Sequence, residues 1–332
     1  MAASEVRSPS SLSFGARARA ALLSQEGVLF IIMLVAVLIL SALSEPFRTV
    51  NNFLNQGRLL TEIGLVALPM TFIIITGGID LSVGSIFGLC AVVLGYTWDK
   101  LGFPLELAIV TALLVSVIAG FINGWFIVRV GVPPLIMTLA TLAFYRGLAE
   151  GISQARSARG YPEWFYALGQ GELFGVPTQL WILVIATIIV GIILSRTVFG
   201  RSLYAIGNNE LGARFSGIPV DRYKLLIYTF SGFMAGLAGY IFVSRVSTTR
   251  SDMGTGLELD VIAAVVLGGT SIFGGSGSIL GTAIGVVLIQ LLKNGLALTG
   301  VTGDATIVVI GLVLIFAILV NNFIQRRTGA VS

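Results

Sequence analysis

The side chains able to do chemistry in this 332-residue chain are few, and what is missing is as informative as what is present. There is no histidine, which excludes Ser-His-Asp triads, imidazole acid–base catalysis and His-ligated metal or haem sites. The one cysteine, Cys90, can form neither an internal disulfide nor a thiolate cluster. Gly275-Ser276-Gly277-Ser278 superficially suggests a serine-hydrolase turn, but no imidazole exists to activate either hydroxyl. None of the lysines, Lys100, Lys224 and Lys293, follows a glycine-rich strand-to-helix turn. The chain therefore has no P-loop and cannot hydrolyse ATP by itself.

Two glycine- and serine-rich stretches interrupt apolar sequence. The first is Thr76-Gly77-Gly78-Ile79-Asp80-Leu81-Ser82-Val83-Gly84-Ser85, the second Leu267-Gly268-Gly269-Thr270-Ser271-Ile272-Phe273-Gly274-Gly275-Ser276-Gly277-Ser278. In the first, Gly77 and Gly78 tolerate backbone angles closed to other residues, and Asp80 or Ser82 can cap the following helix. A place beside a transport path is the other reading, because non-helical backbone in a membrane can line a cavity. Gly268 and Gly269 suit close helix packing through small residues. Both breaks are predicted on the same side, a hint of internal duplication.

The segment 196–224 carries a different signal. Asn208 or Asn209 can cap a short helix, Glu210 suits its first turn, and Gly217 with Pro219 ends it. Leu211 and Phe215, four residues apart, share one face of that helix. A solvated loop has no need of them. They form a knob suited to a groove on a soluble partner.

These segments hang on long apolar runs. Hydrophobic residues make up 56% of the chain and charged residues 11%, with a mean hydropathy of +0.97, against roughly 25% charged in soluble domains. Glycine is abundant, at 41 residues, well above the usual ~7%. Ten runs are long enough, or nearly so, to cross a bilayer: 28–44, 59–76, 81–98, 105–128, 132–149, 179–195, 225–244, 257–272, 277–297 and 305–322. Glycine punctuation leaves nine or eleven open. The fold class is an all-α polytopic membrane protein of about ten transmembrane helices. The division is an N-terminal arm, 1–27, expected to be disordered; a transmembrane domain, 28–322; and a tail, 323–332. Ser41-Ala42-Leu43-Ser44 is a poor cleavage site, so the first run is expected to remain as a helix. The acids cluster at helix ends, whereas ion-coupled carriers carry carboxylates at mid-depth.

Lysine and arginine numbers barely separate the two sides. The acids sharpen the choice: Glu150, Glu163, Glu172, Asp252, Glu258 and Asp260 all fall beside loops of one side. Both termini and the 196–224 loop are therefore expected in the cytoplasm. On the outer side, 150–178 carries Tyr161, Trp164, Phe165 and Tyr166, fitting either a surface helix in the aromatic belt or a partner surface. Arg245–Asp260, with Arg250, Asp252, Glu258 and Asp260, is a second outer docking candidate, though loop charges are commonly just solvated.

Taken together, Gly77 through Gly84, the loop from Phe199-Gly200-Arg201 to Gly217-Ile218, and Glu258-Leu259-Asp260 through Leu267-Gly268-Gly269 resemble the sugar-importing ABC permeases of the ribose/xylose/arabinose group. Gly274-Gly275, Gly277, Gly281-Thr282 and Asn294-Gly295-Leu296 fit too. The likeness runs in order from about residue 28 to 322. It implies a multi-pass permease of a bacterial inner membrane that binds no cofactor. Its partners would be a second permease subunit, a cytoplasmic ATPase that consumes the ATP, and a periplasmic sugar-binding protein, with membrane lipid around them and no nucleic acid. The coupling helix of that family maps onto Asn208, Asn209, Glu210, Leu211, Gly212, Ala213, Arg214, Phe215, Ser216 and Gly217. Gly64-Leu65-Val66-Ala67-Leu68-Pro69-Met70, Gly88-Leu89-Cys90-Ala91 and Arg250-Ser251-Asp252-Met253-Gly254 look like permeases for rhamnose and the furanosyl autoinducer signal. Keeping Glu258-Leu259-Asp260 departs from some autoinducer permeases and tips the expectation toward a deoxyhexose such as rhamnose. The competing classes are a secondary carrier or channel working without ATP, and a membrane enzyme, which the missing histidine disfavours.

Overall fold

A computed structural model describes residues 25–301 together with Gly303, Ala305, Val308, Gly311 and Leu312. The basic N-terminal arm, most of the 305–322 run and the 323–332 tail lie outside the described residues. In chain order the elements are α1 (Gln25–Leu43), α2 (Val50–Ile75), α3 (Val83–Asp99), α4 (Leu105–Trp125), α5 (Pro134–Ser153), α6 (Glu163–Gln170), the short hairpin β1 (Glu172–Leu173) and β2 (Val176–Pro177), α7 (Thr178–Arg196), α8 (Val198–Asn208), α9 (Glu210–Phe215), α10 (Val220–Val246), α11 (Leu257–Leu267) and α12 (Ile279–Leu298).

Helix α2 is the hub. Thr49 starts it, its side chain accepting from the Asn52 N–H at 3.3 Å. From Thr61 to Ile75 every residue is buried, as expected of a helix apolar on nearly all sides. It packs against α7, α10, α11 and α12. The most extensive helix pair is α4 with α10, and glycine explains it. A Cβ on Gly120 would lie 2.9 Å from Gly232 Cα, and Gly232 presses equally on the backbone of α4, so the two helices touch main chain to main chain. By contrast α1 and α7 leave Leu34, Leu38, Ile185 and Ile188 about half exposed or more, the faces a bilayer would solvate.

Seven described helices have the length and apolarity to cross a membrane: α1, α2, α4 with its π-helical extension Phe126–Val130, α5, α7, α10 and α12. Helix α3, at 17 residues, is somewhat shorter. The run 257–272 does not form a span: α11 stops at Leu267 after 11 residues, because Gly268 and the left-handed Gly269, Gly274 and Gly275 turn the chain. The second span starts at Val50 rather than 59, and the first at Gln25, inside the segment assigned to the arm.

Candidate transport and coupling sites

The 196–224 segment folds as two short helices. Thr197 caps α8, its side chain accepting from the Gly200 N–H at 3.2 Å. Asn209 caps α9, accepting from the Gly212 N–H at 2.8 Å. Asn208 is not the cap; it ends α8, and its Nδ2 donates to the Tyr204 carbonyl. The helical part is thus shorter than Asn208–Gly217: Ser216 and the left-handed Gly217 form the turn after it. Ala213 is buried against Ile206 and Val220, seating α9 on the end of α10. Glu210 bonds Arg214 at 3.0 Å and Lys224 at 2.6 Å, and Arg214 reaches Asp221 at 2.6 Å. Burial opposes ionisation of Glu210, but the bonds from Lys224 and Arg214 outweigh it and hold the carboxyl below its usual range. Anchored in this way, α9 turns Leu211 and Phe215 outward, 68% and 90% exposed.

The two glycine-rich breaks meet beside this anchor. The Gly275 N–H donates to the Ile75 carbonyl at 2.9 Å, and Gly207 leaves no room for a Cβ between them. Gly77 adopts a left-handed φ of +76°, while Gly78 clears space for the wholly buried Tyr228. Gly268 lies against the Gly281 backbone of α12, the packing role expected of small residues.

Asp80 is fully buried near the midpoint of α10. Its Oδ1 accepts from the N–H and the hydroxyl of Ser82, at 3.0 and 2.6 Å, and its Oδ2 from the Ser231 hydroxyl at 3.0 Å. Ser82 is the residue preceding α3 but makes no side-chain capping bond; instead its Oγ also receives Asn123 Nδ2 at 2.8 Å, and Tyr145 bonds the backbone of α4. This polar node joins α3, α4, α5 and α10. Asp80 itself lies in the break between α2 and α3, at the ends of both helices. Glu62, well inside α2 and paired with Arg245 of α10 at 2.7 Å, is the departure from the expectation that the acids cluster at helix ends.

The outer docking set divides. Arg250 and Asp252 pair with each other in solvent, and the bond from Arg250 holds the Asp252 carboxyl below its usual range. Asp260 instead binds Lys293 of α12. Glu258 turns inward against Gly84, and its Oε2 is buried without a hydrogen-bond partner. Those two are half-buried and turned toward other parts of the chain, unlike Arg250 and Asp252. In the aromatic loop, Tyr161 and Phe165 are buried in a stack from Trp98, so only part of that loop faces outward.

Sequence reasoning missed Arg146. Its Nη1 donates to the carbonyls of Ser251 and Met253 at 2.6 and 2.8 Å, and its Nη2 to that of Gly84 at 3.3 Å. An arginine inside an otherwise apolar run was the available signal, since intramembrane charge is costly and marks function. Nearby, a cleft of about 770 Å³ opens at the far ends of α3 and α5, lined by Tyr96, Asp99, Ser153 and Thr249 among others.

Comparison with known proteins agrees with this architecture. Residues 52–318 match the family described as the branched-chain amino acid transport system / permease component. The ribose import permease protein RbsC of Bacillus subtilis is 41% identical over 296 residues, 88% of this chain and 91% of that protein. The autoinducer 2 import system permease protein LsrD of Photorhabdus luminescens is 36% identical over 300 residues, 89% and 90% of the two chains. RbsC of Escherichia coli K12 is 37% identical over 315 residues, 92% and 95%. No solved structure gives a significant match. A family match across most of the chain, carried on apolar helices of spanning length, makes this protein a multi-pass membrane permease of that family.

Proposed function

We propose that the chain is the membrane-spanning subunit of an ATP-driven ABC importer for a monosaccharide or a sugar-like signal. The observation that carries this reading is its similarity, over about nine-tenths of its length, to import permeases for ribose and autoinducer 2. Two permease subunits, identical or sister chains, form the route in a bacterial inner membrane, with both termini in the cytoplasm. A cytoplasmic ATPase docks on Leu211 and Phe215 of α9, and a periplasmic binding protein delivers the solute near Arg250 and Asp252. ATP binding closes the ATPase dimer, α9 passes that motion to α8 and α10, and the helix pairs shift to alternate access.

The Asp80 node is the proposed internal pivot, since it ties together four helices that must move with α10. A deoxyhexose such as rhamnose remains the favoured cargo, on the Glu258-Leu259-Asp260 stretch. Uptake of a labelled panel of ribose, rhamnose, xylose and autoinducer 2 by the reconstituted importer tests the assignment. One preferred sugar supports it, and rhamnose gives way if ribose is carried best. Uptake by the chain alone would favour a carrier or channel.

A further inference from the structure

Between α10 and α11 the chain runs without helix alongside α3. Thr249 lies at Gly95, Met253 and Ser251 at Gly88, and Gly254 at Gly84, a descent of about 16 Å along α3 at 1.5 Å per residue. Non-helical backbone among membrane helices must find hydrogen-bond partners inside the protein. At its upper end the segment is fixed by Thr249, which bonds both the N–H and the carbonyl of Ala158. Lower down, the carbonyls of Ser251 and Met253 receive their bonds from the Arg146 guanidinium, and no other donor reaches them among the described residues. Gly84 and Gly88, one turn apart on α3, make the groove: a Cβ on Gly88 would lie 2.6 Å from the Met253 carbonyl oxygen and 2.8 Å from Arg146 Nη1. Gly254 and Gly256, at φ +75° and +80°, supply a left-handed bend before α11.

We propose that Thr249–Gly256 is a movable gate of the solute route and that Arg146 is the positioning residue that latches it into the α3 groove. The inference rests on the transport reading above. A latch needs somewhere for its charge to go when it opens, because an unpaired guanidinium at this depth is costly. Glu258 supplies that acceptor. Its carboxylate sits at Gly84, whose carbonyl also accepts from Arg146 Nη2, and its Oε2 is buried without a hydrogen-bond partner. Exchange of the guanidinium from the backbone carbonyls to Glu258 gives two discrete states, which is what a gate requires. The same residue is tied to the transport core. Its neighbour Tyr145 bonds α4 beside Asn123, and through Asn123 and Ser82 that contact reaches Asp80. Thr249 also lines the large cleft, so the gate borders that opening.

The test uses the importer with Met253→Cys in a Cys90→Ala background. Met253 is 8% exposed, so the new thiol reports opening. A small maleimide is expected to label it slowly in the parent and at least tenfold faster in Arg146→Gln. Uptake per ATP hydrolysed should fall at least fivefold in Arg146→Gln while hydrolysis continues. Arg146→Lys, which keeps the charge but lacks the fork, should lie between and carries the test alone if the glutamine variant is not recovered. Glu258→Gln should slow both labelling and uptake. A labelling rate within twofold of the parent in the Arg146 variants overturns the latch. Labelling is read on the membrane-embedded chain, so it stands even if the parent shows no ATP-dependent uptake, a result that would count against the transport reading instead.

Discussion

Truncating Phe215 to alanine isolates what α9 contributes to partner binding. Fully burying a leucine or phenylalanine side chain stabilises by about 1.5–3 kcal/mol. Phe215 is 90% exposed and Leu211 68%, so their apolar surface is nearly unused within the chain and free for a partner. Phe215→Ala should therefore weaken ATPase binding by about 2–3 kcal/mol, roughly 30- to 150-fold. Leu211→Asp with Phe215→Asp should abolish co-purification of the ATPase, since each charge would enter an apolar groove unpaired. The permease itself should scarcely notice, because neither side chain contributes to its core; a change of about 0.5 kcal/mol or less is expected for such surface positions. The assay is titration of detergent-purified permease with its ATPase, alongside thermal unfolding of the permease alone. Leu38→Ala, at a 70% exposed position on the lipid-type face of α1, is the control and should leave binding unchanged. Undiminished ATPase recovery with the double aspartate variant would refute the reasoning.

Asp80, Gly120 and Glu210 each offer an independent test. Asp80→Asn keeps an acceptor for the Ser82 N–H but removes the charge, so membrane content should stay near wild type while uptake falls at least fivefold; equal losses, by immunoblot and uptake, would reduce Asp80 to a structural turn. Gly120→Ala forces a Cβ onto the α10 backbone and should destabilise by about 1–3 kcal/mol, whereas Gly147→Ala, which meets nothing within 4 Å, should be neutral in the same thermal assay. Glu210 has a carboxyl held below its ordinary value of 4.5, so its contribution is complete at neutral pH and above 4.5, and is lost as pH falls through the lowered value. With a side chain 40% exposed that contribution is about 1 kcal/mol at most. Hydrogen exchange of the Gly212–Phe215 amides, corrected for its intrinsic pH dependence, should lose protection only below about pH 4.5, and Glu210→Gln should flatten the profile.

Local signals were legible in the sequence, and long-range ones were not. The Asn209 cap, the apolar pair Leu211 and Phe215, and the apolar runs behind the helices each depend on residues within a few positions. The run 257–272 misled because its hydropathy continues past Leu267, while the chain turns at Gly268-Gly269 and packs Gly268 on Gly281 of another helix. Asp80 could be recognised as a turn residue, but its tie to Ser231 spans 151 positions and leaves no local trace. Arg146 carried a signal as an arginine within an apolar run, but its partners, the carbonyls of Ser251 and Met253, lie more than 100 positions away.

As proposed, this chain is a passive route driven by a separate motor. Proteoliposomes holding the permease with its ATPase and binding protein, loaded with or without ATP on the ATPase side, test it most directly. Labelled sugar should accumulate only with ATP and only with all three components. Accumulation or equilibration of the sugar in liposomes holding this chain alone would contradict it.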